Sequence, residues 1–166
     1  ELGLGQSTRM IAQYAAAFDD VEHIVVEHDP EWIQFFCNSF PLPQNTKIVQ
    51  LEREMVSYKE AESVRVFKGF KEAFQGQKFD FISVDAPLGS DMKQYSRIDI
   101  LSILPSCLLD NFIILIDDTE RLGEKHTLNE IDSKLNAIYN INIGKYSGKK
   151  DCSLIASNSS KFFTSL

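Results

Sequence analysis

At 166 residues, 43% of them hydrophobic, the chain is long enough for one domain with a sizeable core and too apolar to be disordered. Its net charge of −7 argues against a nucleic-acid partner, because phosphate binding needs a basic face. No apolar run approaches membrane-spanning length, and the three scattered cysteines, Cys37, Cys107 and Cys152, show neither a disulfide framework nor zinc spacing. A reduced, cytoplasmic setting is the expectation, and no signal peptide is visible. The chain starts inside a strand and without Met, which reads as a single domain, 1–166, lacking its native N-terminal segment. Along it, strand and helix alternate. A first strand ends at Glu1–Leu4, and a helix over Ser7–Phe18 places Met10, Ile11, Tyr14, Ala15 and Phe18 on one face. His23–Glu27 is a short apolar strand. Asp29 and Pro30 open a second helix as N-cap and first residue, burying Trp32, Ile33 and Phe36. Lys47–Leu51 reads as the third strand. Glu52–Gln77 has mixed charge and weak period, and its apolar Val64–Phe74 section suits strand, helix or both. Phe79–Asp85 is nearly continuous in apolar character, as a buried parallel strand should be. Ala86–Tyr95 reads as a loop and Arg97–Leu104 as a helix. Phe112–Asp117 is the strongest strand, and Thr127–Tyr139 is helical. Asn140–Tyr146 and Cys152–Ser157 flank a turn as an antiparallel hairpin. Lys145, Lys149 and Lys150, the only basic cluster, read as its solvated tip. The fold class is α/β: a Rossmann-like, doubly wound, mostly parallel sheet with helices on both faces and a C-terminal antiparallel hairpin.

The residues with chemistry lie at the carboxyl ends of these strands. Glu1, Gly3, Leu4 and Gly5 form a glycine turn after the first strand, and the helix opening near Ser7 presents free N–H groups to a ligand. The third glycine of a dinucleotide fingerprint would fall at Thr8 and is missing, which weakens a pyrophosphate reading. Glu27 ends the second strand, Asp85 the fourth, and Asp117 with Asp118 the fifth. In an open α/β sheet such ends converge on one crevice. A single Asp there is an ordinary helix cap, as at Asp29, but four acidic strand ends point to a shared site.

On these residues the chain resembles the class I S-adenosylmethionine-dependent methyltransferases. The resemblance covers nearly all of it. The acidic-x-Gly-x-Gly motif is matched by Glu1, Gly3 and Gly5, which it implies lie against the methionine part of the cofactor. It implies that Glu27 binds both ribose hydroxyls, a pairing for which a carboxylate is suited, with His28 either beside the adenine or simply at the surface. A second, narrower resemblance is to metal-dependent O-methyltransferases of the catechol type. It implies that Asp85, Asp117 and Asp118 surround magnesium or another divalent cation, whose hard character suits carboxylate oxygens. That family's catalytic lysine, three positions after its strand-four Asp, is Leu88 here, with Lys93 nearby in the loop. A third likeness, to plant glucuronoxylan methyltransferases, rests on Val84-Asp-Ala-Pro-Leu-Gly89 with Arg97, and on Asp118-Thr-Glu-Arg121-Leu-Gly-Glu124. It implies a sugar or uronate hydroxyl as acceptor, with Arg97 or Arg121 forking onto a carboxylate. For Arg121, an ion pair with Glu124 on its own helix turn is equally open.

These readings converge on an S-adenosylmethionine-dependent O-methyltransferase acting on a small-molecule or glycan hydroxyl, with a divalent cation and a homodimer left open. Asp85, Asp117 and Arg97 are the catalytic candidates. A methyltransferase-fold domain that binds cofactor or partner without turnover is the alternative. An NAD-dependent short dehydrogenase needs Tyr-x-x-x-Lys, and Tyr95 is followed at that spacing by Asp99.

Overall fold

Leu2 is the residue that joins the sheet. Its backbone bridges in parallel to Val26 on one side and to Val84 on the other. Its N–H donates to the Ser83 carbonyl at 2.8 Å, and the Gly3 N–H to that of Val26 at 2.9 Å. The computed structural model describes residues 1–165. From the stub at Leu2 the chain runs through α1 (Gln6–Ala16), β1 (His23–Glu27), α2 (Pro30–Ser39) and β2 (Thr46–Gln50). A hairpin of β3 (Arg53–Tyr58) and β4 (Ala61–Phe67) follows, then the short α3 (Phe70–Phe74) and β5 (Phe79–Val84). A 3-10 turn at Asp99–Ser102 leads to β6 (Leu108–Ile116), α4 (Leu122–Asn136), β7 (Ile141–Ser147), β8 (Asp151–Ser157) and a last 3-10 turn, Asn158–Thr164. The sheet order is β2-β1, the Leu2 stub, then β5-β6-β8-β7. All neighbours are parallel as far as β6, and β8 then runs antiparallel to both β6 and β7. No helix among the described residues is long and apolar enough to cross a membrane.

The two faces of the sheet can be read from β1. Successive side chains of a strand point to opposite faces. Val25 packs in a cluster with Leu4 and Phe36 of α2, whereas Val26 belongs to the main core with Phe70 and Phe74 of α3 and Ile131 and Leu135 of α4. Helices therefore cover both faces. The middle of the main core is β6, where Phe112, Ile114 and Ile116 are fully buried at period 2.

Several elements differ from their expected form. Arg97–Leu104 is not a helix. Arg97 sits at φ 62, a left-handed backbone that a right-handed helix cannot include, and only Asp99–Ser102 winds, as a 3-10 turn. Apolar side chains on every side of this segment are buried, so it has no polar face of the kind a surface helix needs. On α1 the buried residues are Thr8, Ala12 and Ala15, while Met10 and Tyr14 are 73% and 61% exposed and Phe18 lies beyond the helix end. Small residues let this helix approach the sheet closely, and the large ones are left outside. Trp32 is likewise 40% exposed; Phe36 takes the core position on α2. The ambiguous Glu52–Gln77 stretch is both strand and helix, and α4 begins at Leu122 rather than Thr127.

Candidate functional site

The crevice at the carboxyl ends of the strands starts at the glycine turn. Gly3 has φ +105, which few other residues adopt, and a Cβ there would lie 3.1 Å from that of Ala86. The turn thus packs directly on the loop that follows β5. Gly5 is extended, and a Cβ on it would meet nothing within 4 Å, so the space beside it is open to a ligand. The Gly5 N–H is capped by Thr8 Oγ1 at 2.9 Å.

Glu1, expected beside the cofactor, is held inside the turn. Its carboxylate receives Ser7 Oγ at 2.5 Å and lies 3.0 Å from His23 Nε2. Glu1 and Ser7 therefore fasten the start of α1 to β1. Glu27 does the same for the middle of the turn. One oxygen accepts the Leu4 N–H at 3.2 Å; the other takes the His28 N–H at 2.7 Å, the Asp29 N–H at 3.1 Å and His28 Nδ1 at 2.6 Å. The second oxygen is saturated, and only the one facing Leu4 keeps a free lone pair. Trp32, which sequence reasoning assigned to the core, donates its indole N–H to the Leu4 carbonyl at 2.8 Å and borders the turn. Its position follows from the cap at Asp29, whose carboxylate accepts the N–H groups of Glu31 and Trp32.

The second half of the crevice is a charge network. Asp85, Asp117 and Asp118 each bring one oxygen within 4.8 Å of the others. Arg97, expected to reach a substrate carboxylate, is instead 2% exposed at its centre. Its Nη2 lies 2.7 Å from Asp118 and 3.0 Å from Asp85, its Nη1 donates to the Asp117 carbonyl at 3.0 Å, and its Nε lies 3.6 Å from Glu124. Arg121 pairs with Asp118 at 2.7 Å and reaches Glu124 at 3.6 Å. Both openings left by the sequence are thus answered by internal pairs. Arg97 and Asp118 also share a positive φ, 62 and 60, a backbone cost held in place by their ion pair.

Lys150 was missed. It comes from the turn between β7 and β8, and its ammonium lies 2.7 Å from Asp118 Oδ1 and 3.9 Å from Asp117. The signal available in the sequence was the Lys149-Lys150 pair at a hairpin tip, which only the strand register turns toward Asp118. Lys93 is exposed in the loop and Leu88 is 54% exposed. The loop itself is clasped from β4 by Arg65, whose two nitrogens meet the two oxygens of Asp91 at 2.7 Å. Gly89 is required in it, since a Cβ there would fall 2.5 Å from Glu124 Oε1.

The network sets the charge state of its members. Burial pushes the Asp85 carboxyl above its ordinary value, Arg97 draws it back, and Asp117 and Asp118 push it up again. Burial also opposes the charge of Asp118, but Lys150 and Arg97 outweigh it and hold that carboxyl below its usual range. The bond to Asp118 raises the Lys150 ammonium. Asp85 is the member whose side chain is half exposed, at the mouth of the crevice.

The donor set suits a hard divalent cation in oxygen count, but not in charge. Asp118 already faces three cationic heads at 2.7 Å, and four carboxylates against three cations leave one net negative charge. A resident dication would sit among those heads and reverse that balance.

No family model matches the chain, and no curated protein does. Solved structures do. The chain is similar to the methyltransferase PaMTH1 of Podospora anserina, solved with SAH bound, at 17% identity and a TM-score of 0.56, over 95% of this chain and 70% of that one. It is similar to a candidate caffeoyl-CoA O-methyltransferase of Staphylococcus aureus at 12% identity and a TM-score of 0.53, over 95% and 74%. The plantazolicin methyltransferase BpumL, in complex with SAH, matches at 11% identity and a TM-score of 0.51, again over 95% and 74%. These likenesses show the Rossmann-like methyltransferase fold.

Proposed function

We propose that this chain is an S-adenosylmethionine-dependent O-methyltransferase acting on a sugar or small-molecule hydroxyl, and that it works without a divalent cation. The observation that carries the reading is the contact between the glycine turn and the carboxylate network. The Asp85 N–H donates to the Leu2 carbonyl at 3.0 Å, so the backbone that would hold the cofactor also fixes the first carboxylate of the network. Bound S-adenosylmethionine supplies an electrophilic methyl group on a sulfonium. The open side of Gly5 and the free lone pair of Glu27 would receive its methionine and ribose parts, with His28 and Trp32 at the ribose end. Asp85 is the base: its raised pKa and exposed oxygen suit it to take the proton of an acceptor hydroxyl as the oxygen attacks. Asp117 and Asp118 hold the network, and Arg97 positions Asp85 and Asp118. Lys150 keeps donors free for the acceptor oxygen. An acceptor carboxylate would meet Arg121 or Lys150, which are 30% and 53% exposed, and not the buried Arg97. Alignment of methyl and oxygen by this frame would supply most of the acceleration.

A second reading, cofactor binding without turnover, is favoured by one feature: the ion pairs that lock Arg97 and Asp118 away from any acceptor. A methyl-transfer screen with labelled S-adenosylmethionine over uronates, neutral sugars, catechols and small acids separates the two. Transfer to a hydroxyl supports the first reading; tight cofactor binding with no transfer to any acceptor class supports the second.

A further inference from the structure

The loop from Asp85 to Arg97 is held at its base by the crevice and at its tip by a part of the molecule outside it. At the base, Arg97 Nη2 meets Asp85 Oδ1 at 3.0 Å. The first turn follows the crevice wall: Ala86 packs on Gly3, and Gly89 leaves no room for a side chain against Ser96 and the Glu124 carboxylate. The tip is held by the β3–β4 hairpin, whose strands pair with each other and with no strand of the main sheet among the described residues. Arg65 of β4, its side chain 17% exposed, donates from Nη1 to the Leu88 carbonyl at 2.6 Å, and its two terminal nitrogens meet the two Asp91 oxygens at 2.7 Å. The Tyr95 hydroxyl donates to Glu60 at 2.7 Å, and the Tyr95 ring meets that of Tyr58 edge-on at 5.1 Å. No helix or strand lies between β5 and Asp99, so these anchors set the shape of the loop. Single exposed ion pairs contribute little, but a two-point fork onto a carboxylate fixes direction as well as distance.

We propose that Arg65 and Asp91 are positioning residues for the methyl acceptor: their fork fixes the loop as a wall beside Asp85, and the β3–β4 hairpin thereby sets how firmly an acceptor is held. The proposal rests on the methyl-transfer reading of the crevice. Leu88, whose carbonyl Arg65 holds, is 54% exposed and stands three residues after Asp85. An apolar side chain next to a proton-accepting carboxylate suits an acceptor with a C–H or aromatic ring face beside its hydroxyl. Arg65 and Asp91 pair with each other and with no member of the charge network. Opening the fork therefore leaves the glycine turn and the network pairs in place.

Labelled S-adenosylmethionine with D-glucuronic acid, methyl glucoside, catechol or glycolic acid as acceptor tests the proposal. With the acceptor that takes up most label, Arg65→Ala and Asp91→Ala should each raise the acceptor KM on the order of tenfold, less than the roughly 100-fold of a misplaced reacting group. The values of kcat and of cofactor affinity should stay within about threefold of wild type. The double variant should be no worse than the single ones, because either change alone already opens the fork. Asp91 is 54% exposed, so its variant reads the fork without disturbing the fold. An unchanged KM in Asp91→Ala overturns the proposal. So does a lowered kcat at unchanged KM, the mark of a smaller folded fraction, or a double variant that loses the product of the two single effects. No transfer from the wild-type protein to any of the four acceptors removes the methyl-transfer reading and this proposal with it; transfer that both variants carry out with wild-type KM removes this proposal alone.

Discussion

Lys150 and Asp118 meet across the mouth of the crevice, ammonium nitrogen to Oδ1 at 2.7 Å, although one is at a hairpin tip and the other follows β6. The register that pairs Ser147 with Asp151 places the turn there, and the Thr119 N–H ties it to the network through the Asp151 carbonyl at 2.8 Å. A cation on a flexible stem thus pairs with one of the three carboxylates that cluster at the strand ends. If it also steadies the acceptor oxygen, Lys150→Met should lower kcat on the order of 100-fold, the scale of losing one oriented donor. Cofactor affinity should be nearly unchanged and Lys150→Arg partly active. Unaltered turnover in Lys150→Met would return this lysine to the role of a solvated tip residue.

The same balance predicts indifference to chelation. Activity in excess EDTA should match that in magnesium or manganese within about twofold, since Asp118 is already paired with Arg97, Arg121 and Lys150. Activity that vanishes with chelator and returns with a dication would show that the cationic heads move aside and that Asp85, Asp117 and Asp118 bind metal.

Glu27 has one free lone pair to offer a ribose, so the loss on its removal is that of a single bond to a charged group. Glu27→Gln should weaken S-adenosylmethionine binding by roughly 1.5–3 kcal/mol. Trp32 reports it directly, being the only tryptophan and bonded to the Leu4 carbonyl in the turn. Its fluorescence should change on titration with S-adenosylmethionine or its demethylated product and stay constant with NAD. An affinity in Glu27→Gln within threefold of wild type would place the ribose elsewhere.

The strand ends were legible because a buried parallel strand is a continuous apolar run with its polar residue at the end, as in Phe79–Asp85 and Phe112–Asp117. The cap at Asp29 and the closing hairpin were legible for equally local reasons. What stayed hidden depends on contacts distant in sequence. Met10, Tyr14 and Phe18 have the spacing of a core stripe, yet the sheet accepts Thr8, Ala12 and Ala15, because helix-to-sheet distance decides which residue fits. Arg97 has no local sign of a left-handed backbone; its conformation follows from four partners around it, the most distant in sequence being Glu124. The β3–β4 hairpin is mostly exposed on its outer strand, so its alternation is faint. Lys150 reaches the site only through strand register.

Arg97 also separates a buried anchor from a substrate hook. Arg97→Ala leaves Asp118 and Glu124, 2% and 0% exposed, without their main internal cation. Urea denaturation should show a loss of roughly 3–5 kcal/mol, as for a broken buried pair. A hook exposed to substrate would change stability by less than about 0.5 kcal/mol on removal. A fully stable Arg97→Ala protein with only a raised acceptor KM would restore the hook.

Asp99 carries the last prediction. Burial raises its carboxyl to about 7 in the folded protein, well above the ordinary carboxylate range. The folded protein therefore holds this proton more tightly than the unfolded chain. Its contribution is fully present below the unfolded value and declines as pH rises toward 7, where it levels off. Across that window the loss from this group is on the order of 4 kcal/mol, taking 1.36 kcal/mol per unit. Other groups titrate there too, so the measurement is a difference. Unfolding free energies of wild type and Asp99→Asn, taken from pH 4 to 8 in urea, should converge at low pH, separate between pH 4 and 7 and run parallel above it, with the variant the more stable. Glu54, Lys71 and Glu72, which line the open surface pocket beside Asp99, are present in both proteins and cancel in that difference. Profiles that run parallel over the whole range would mean that Asp99 ionises normally.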